Sequence, residues 1–340
     1  MLFRSRIPIF LGSVNVNVAE AVMHVPDDWC AGDSRVNLIA SDQSANAGIG
    51  AVAEISVVSA WKRSVLGLAP SLITVLMVLG SILLSGAALA KRFVPSIPAM
   101  VAAAISLGAA SLFAFCAYAA LPGTSARWVV PIFFAAMCMA TVRLVGVAQL
   151  RSVASELRVY LGPWIIAAIA YYSLLLIADN GIAHWNPNYR FWPATWSSDN
   201  ELPWLFAEAL RHHYDLHSLF GGTWLPTDRP PLMTGAHLLT AEPLAWLQTN
   251  NDGNYLRGEA YNVSAVVLNA LWVPALLFLL RESLAFTHRT ALSAIAVIGI
   301  TPFCVFNTIF GWPKVFGAAF GLLATAIGVL IVRQRDRKST

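Results

Sequence analysis

The sequence predicts an all-α integral membrane protein with about seven transmembrane helices and one large extracytoplasmic loop that carries an amphipathic interfacial helix. Two observations lead to that fold class. The 340 residues are 57% hydrophobic and only 12% charged, about half the charge content of ordinary soluble domains, and mean hydropathy is +0.64. Several runs of 18 or more residues carry almost no charge, long enough as helices to cross a hydrocarbon layer about 30 Å thick. A water-soluble enzyme is thereby excluded.

The runs, in order, are Val65 to Ala90, Pro98 to Leu121, Trp128 to Leu150, Tyr160 to Ala178, Tyr261 to Leu280, Thr290 to Phe310 and Lys314 to Val332. With simple alternation, Lys91, Arg92, Arg151, Arg158, Arg281, Arg289 and the basic tail 333–340 share one side, which the positive-inside bias makes the cytoplasm. The expected location is a bacterial cytoplasmic membrane. Residues 1–64 lack the apolar core and cleavage site of a signal peptide and read as a poorly ordered leader. The domain reading is then the leader 1–64, four spans in 65–178, a loop domain 179–260, three spans in 261–332 and the tail.

Net charge is +4, but its distribution argues against nucleic acid. Residues 179–260 hold nine acids and four bases, while the rest of the chain is strongly basic beside its apolar runs. Cys116, Cys138 and Cys304 fall within apolar runs, so no disulfide framework is readable.

The 82-residue acidic segment is where function is expected. It holds six of the twelve tryptophans and five of the seven histidines, a composition that speaks against disorder and for contact with the headgroup layer. Within it, Glu201 to Phe220 has helical periodicity. Leu202, Leu205, Phe206, Ala209, Leu210, Leu216 and Phe220 lie on one face and Glu201, Glu208, Arg211, His212 and Asp215 on the other. Ser198 and Glu201 form a capping box, and Gly221-Gly222 supplies the stop. Such a helix is expected to lie in the interface plane.

Three groups could carry chemistry. Asp199 and Glu201 place two carboxylates at a helix mouth, suited either to capping or to general-base work with a cation partner. Asp228 and Arg229, followed by two prolines that restrict the backbone, read as a rigid substrate contact or as an ion-paired turn. Lys314, next to Trp312-Pro313, could contact the phosphate of a lipid-linked substrate or simply anchor the span. His213 and His217 share a helix face at a metal-binding spacing, but without the rest of a zinc motif. Asn262-Val263-Ser264 matches a glycosylation acceptor yet opens a span, so it is discounted.

The loop resembles bacterial polytopic membrane glycosyltransferases of the GT-C class. The similarity is carried by the D-N-x-L-P element Asp199 to Pro203, the following P-W-L-F-A-E-A-L helix, and the D-R-P-P-L element Asp228 to Leu232, over roughly Trp192 to Lys314. The resemblance implies transfer of a sugar from a polyprenyl-phosphate-linked donor to an extracytoplasmic glycan, lipid or protein acceptor. It implies Asp199 as base with Glu201 beside it, Asp228 as a second acid and Arg229 as a donor-phosphate or structural contact; His212 and Lys314 are taken as further candidate substrate contacts. No cofactor is implied with certainty; a divalent cation is left open. The competing readings are a transporter or flippase, and a non-catalytic subunit or fragment, since seven spans are fewer than most of that class has.

Overall fold

A computed structural model of the chain describes residues 60–178, 202–214, 231–247 and 253–339, and every regular element among them is helical. These helices are α1 (Ala60–Phe93), α2 (Ala99–Ala120), α3 (Gly123–Val145), α4 (Val147–Ala178), α5 (Leu202–His212) and α6 (Pro231–Leu247). They are followed by α7 (Gly253–Asn269), α8 (Trp272–Phe278), a π-turn (Leu279–Ser283), α9 (His288–Gly299), α10 (Pro302–Ile309) and α11 (Pro313–Ser339). Six runs are long and apolar enough to cross a membrane: Ser71–Phe93, Ala99–Ala120, Gly123–Val145, Val147–Leu174, Tyr261–Ser283 and Pro313–Arg333. By these helices the chain is a multi-pass membrane protein.

The sixth expected span, Thr290 to Phe310, is not one straight helix. It is the pair α9 and α10, bent by 76°. The local sequence explains the break. Pro302 opens α10, Thr301 caps it by accepting from the Cys304 amide, and the carbonyl of Gly299 is taken by the Tyr171 hydroxyl at 2.9 Å. The expected third span also stops early, at Gly146, whose φ of +79° and ψ of 156° suit glycine alone.

Tyr261–Ser283 is the central run, 83% buried. At its middle Asn269 closes two helix ends together: its side-chain amide donates to the Thr308 carbonyl at the end of α10 and its oxygen accepts from the Phe316 amide in the first turn of α11. Helix ends leave such groups unpaired, and inside an apolar bundle no water can satisfy them. The Trp164 indole donates to the Val267 carbonyl and the Trp272 indole to Thr308, joining α4 and α10 to the same centre. Large apolar side chains on α3 and α4, such as Ile132, Met139 and Ile166, face outward, as a lipid-facing surface requires.

Small residues set the closest approaches, because lipid removes the hydrophobic drive between helices and leaves van der Waals fit to hold them. A Cβ built on Gly86 of α1 would stand 2.0 Å from Ser106 Oγ of α2, and one on Gly235 of α6 only 1.9 Å from the Ser111 carbonyl oxygen of α2. Gly235 thus packs near the midpoint of α2, while Glu242, two turns later, faces Tyr118 near its end. Helix α6 therefore runs beside α2 in the same direction and starts at mid-depth of the bundle. The segment expected to be a surface loop contributes a helix buried among the spans.

Candidate functional site

The expected amphipathic helix exists as α5, shorter than predicted: the chain leaves it at His213, whose φ is +53°, and the Tyr214 amide returns to the Ala209 carbonyl. Its charged face is largely withdrawn from water, with the Glu208 and His212 side chains 14% and 29% exposed. The Arg211 side chain is 1% exposed, and Leu202 and Phe206 are buried as well. Arg211 is turned inward because a counter-charge, Glu242, stands there on α6.

Arg211 is the hub. Its Nε donates to Glu242 Oε1 at 2.8 Å, Nη2 lies 2.7 Å from the same oxygen, and Nη1 donates to Glu208 Oε1 at 2.6 Å. Arg127, in the first turn of α3, brings its Nε to 3.5 Å from Glu242 Oε1, and His212 Nε2 stands 3.3 Å from Glu208 Oε2. The buried Tyr118 hydroxyl lies against Glu242 short of hydrogen-bond geometry. Burial by itself would lower the Arg211 pKa, but Glu208 and Glu242 more than reverse that and raise it, so the guanidinium is firmly charged. Two arginines face two glutamates: the network is neutral and its charges are matched. It can clamp α5 to α6 and α3, and it offers no uncommitted base. Gly123 permits the approach, since a Cβ there would stand 2.2 Å from the Arg211 carbonyl oxygen.

The clamp fixes direction. Phe206 stacks edge-on against Phe115 at 5.4 Å, deeper along α2 than Tyr118, whereas Arg211 meets Glu242 near the end of α2. Helix α5, like α6, thus points its N-terminal end toward mid-depth.

The sequence-derived site residues fare unequally. Asp199, Glu201, Asp228 and Arg229 lie outside the described residues. His212 closes α5, partly buried, with its ring stacked on Tyr214 at 5.2 Å. Lys314 begins α11 with its ammonium 3.6 Å from the Trp312 ring centre, a cation–π contact. His213 is exposed and its expected partner His217 is outside the described residues. Among the described residues no group of three or more His, Cys, Asp or Glu side chains gathers to hold a metal. Asn262 is buried, in keeping with its dismissal as a glycosylation site. Sequence reasoning passed over Glu242, although a lone acid in an otherwise apolar helix is a recognisable signal.

On α6, which is not among the six spans, His237 is fully buried. Its Nδ1 lies 3.3 Å from Ser264 Oγ, whose own hydrogen goes to the Tyr261 carbonyl, so Nδ1 carries the proton and Nε2 is left without a partner. Burial, only partly offset by Glu208, pushes its pKa down to about 4. The unfolded chain, with histidine near 6.5, then binds a proton that the folded one refuses. The contribution of this histidine is complete above about pH 6.5 and falls as pH drops toward 4, by up to about 1.4 kcal/mol per pH unit. Thermal unfolding in micelles at pH 7.5 and pH 5 should show this loss in the wild type and a smaller one in His237→Asn; equal losses would contradict the assignment.

No protein-family model, curated protein or solved structure matches this chain.

Proposed function

We propose that the chain is a membrane glycosyltransferase of the GT-C type, transferring a sugar from a polyprenyl-phosphate-linked donor to an extracytoplasmic acceptor, with Asp199 as general base. What supports this reading is the direction of α5 and α6. Both begin toward mid-depth of the bundle, and both are preceded directly in the chain by an acidic element: Glu201 is joined to Leu202, and Asp228-Arg229 ends two residues before Pro231. Helix N-termini carry partial positive charge and favour carboxylates and phosphates.

In the reaction, Asp199 removes the proton of the acceptor hydroxyl as that oxygen attacks the anomeric carbon. The bond from that carbon to the donor phosphate breaks, and polyprenyl phosphate leaves with the electron pair. Arg229 and Lys314 are the cations available to steady the departing charge. Glu201 and Asp228 orient the acceptor or hold a divalent cation.

The test is transfer by purified protein in liposomes supplied with a panel of polyprenyl-phosphate sugars. Asp199→Asn should lower kcat by about 100-fold or more with the melting temperature unchanged. Full activity in that variant would remove Asp199 from the mechanism, and counterflow of a solute with no transfer would favour a transporter.

A further inference from the structure

At the opposite end of the bundle, away from α5 and α6, a cavity of about 350 Å3 opens between α2, α4, the π-turn and α11. Its lining divides by chemistry. Met100, Val159, Phe278 and Leu330 form an apolar wall, and Glu156, Tyr160, Arg281 and Glu282 a polar one. Its depth follows from the spans: Ala99 starts the second, Ser283 ends the fifth, and Leu330 stands three residues before the end of the last. The cavity therefore straddles the boundary between hydrocarbon and water.

The polar wall is built. The Tyr160 hydroxyl donates to Glu282 Oε1 at 2.6 Å, and Arg281 lies over the Tyr160 ring with Nη2 3.8 Å from the same carboxylate. Glu156 accepts from the Ala99 amide at 3.2 Å, capping α2 where Pro98 offers no side-chain cap, and it pairs with Lys91. Arg281 and Glu282 sit in a single π-turn, a distortion common at functional sites. The buried Ser283 anchors that turn by donating to the Ala326 carbonyl at 2.9 Å.

We infer that this cavity binds the headgroup of a zwitterionic, primary-amine phospholipid of the phosphatidylethanolamine class, with the acyl chain leaving along the apolar wall. Charge decides among lipids. The lining holds two carboxylates and one base, and Lys91, paired with Glu156 from outside it, completes the balance, so a purely anionic headgroup would set its phosphate against Glu156 and Glu282 with no amine to answer them. A zwitterion satisfies both signs: phosphate toward Arg281 and Lys91, ammonium toward the two glutamates. A trimethylammonium group has no N–H to donate and calls for an aromatic cage, whereas the one aromatic of the polar wall, Tyr160, already faces Arg281. The volume lies in the range of small-ligand sites, about 300–1,000 Å3.

The experiment is native mass spectrometry of the full-length protein titrated with phosphatidylethanolamine, phosphatidylcholine, phosphatidylglycerol and soluble phosphoethanolamine. One phosphatidylethanolamine should be retained about tenfold more tightly than phosphatidylcholine, the loss expected for one charge-assisted hydrogen bond. Glu282→Gln should erase that preference, and Leu330→Trp, which fills the apolar wall and leaves every charge in place, should weaken retention of the lipid. Binding of phosphoethanolamine as tight as that of the lipid would make the occupant a soluble metabolite and overturn the inference. Equal retention of the phospholipids, or an unaltered preference in Glu282→Gln with its melting temperature intact, would overturn it as well. None of these outcomes depends on sugar transfer.

Discussion

Gly235→Ala should destabilise the protein by about 3 kcal/mol, the upper end of the usual cost of overpacking, even though alanine is the better helix former by about 1 kcal/mol. The new methyl would stand 1.9 Å from the Ser111 carbonyl oxygen and 2.7 Å from its carbon, atoms of the α2 backbone that cannot rotate away. Helices α2 and α6 would have to part along their shared length. Gly108→Ala is the matched control on α2: its Cβ would meet the Phe320 ring at 3.5 Å, an ordinary contact. Unfolding of both variants in mixed micelles, followed by tryptophan fluorescence, separates the cases. Equal stabilities would show that α6 does not sit on α2 as described.

Glu242→Leu should cost about 3–5 kcal/mol, because it leaves the Arg211 guanidinium buried with one counter-charge instead of two. Little solvent screening softens the loss, since the two side chains are 1% and 4% exposed. Adding Arg211→Met should recover a large part of it, as apolar replacements of buried pairs commonly do. The coupling in that double-mutant cycle should exceed about 1 kcal/mol. Additive effects would mean that the pair does not hold α5 to α6. If the transferase reading is correct, Glu242→Leu also lowers transfer at temperatures where the spans remain folded, because α5 and α6 would no longer keep their shared direction.

The apolar runs were legible because hydrocarbon thickness imposes both a minimum length and an almost total absence of charge, and six of the seven expected runs have spanning helices as their counterparts. The remaining run, Thr290 to Phe310, is a bent pair of helices, and its sequence holds the reason, since Thr301-Pro302 supplies both the cap and the breaker. Helix α6 escaped notice for a different reason. Its 17 residues fall just short of a span, and with Met233 to Glu242 all buried there is no polar face to produce an amphipathic period. Of the proposed site, the residues next to α5 and α6 were chosen from motifs, while Glu242 and Arg127, far apart in sequence, meet only because α3 and α6 converge on α5.

The sequence alone determined that this chain crosses a membrane several times, since that follows from the cost of placing charge and unpaired backbone in hydrocarbon. It also determined which residues of α5 share a charged face, since that is a matter of helical period. Only the tertiary structure decided which way that face turns. Arg211 is stable inside the protein because Glu208 and Glu242 stand within hydrogen-bond reach, and a buried charge is tolerated only where such partners are in place.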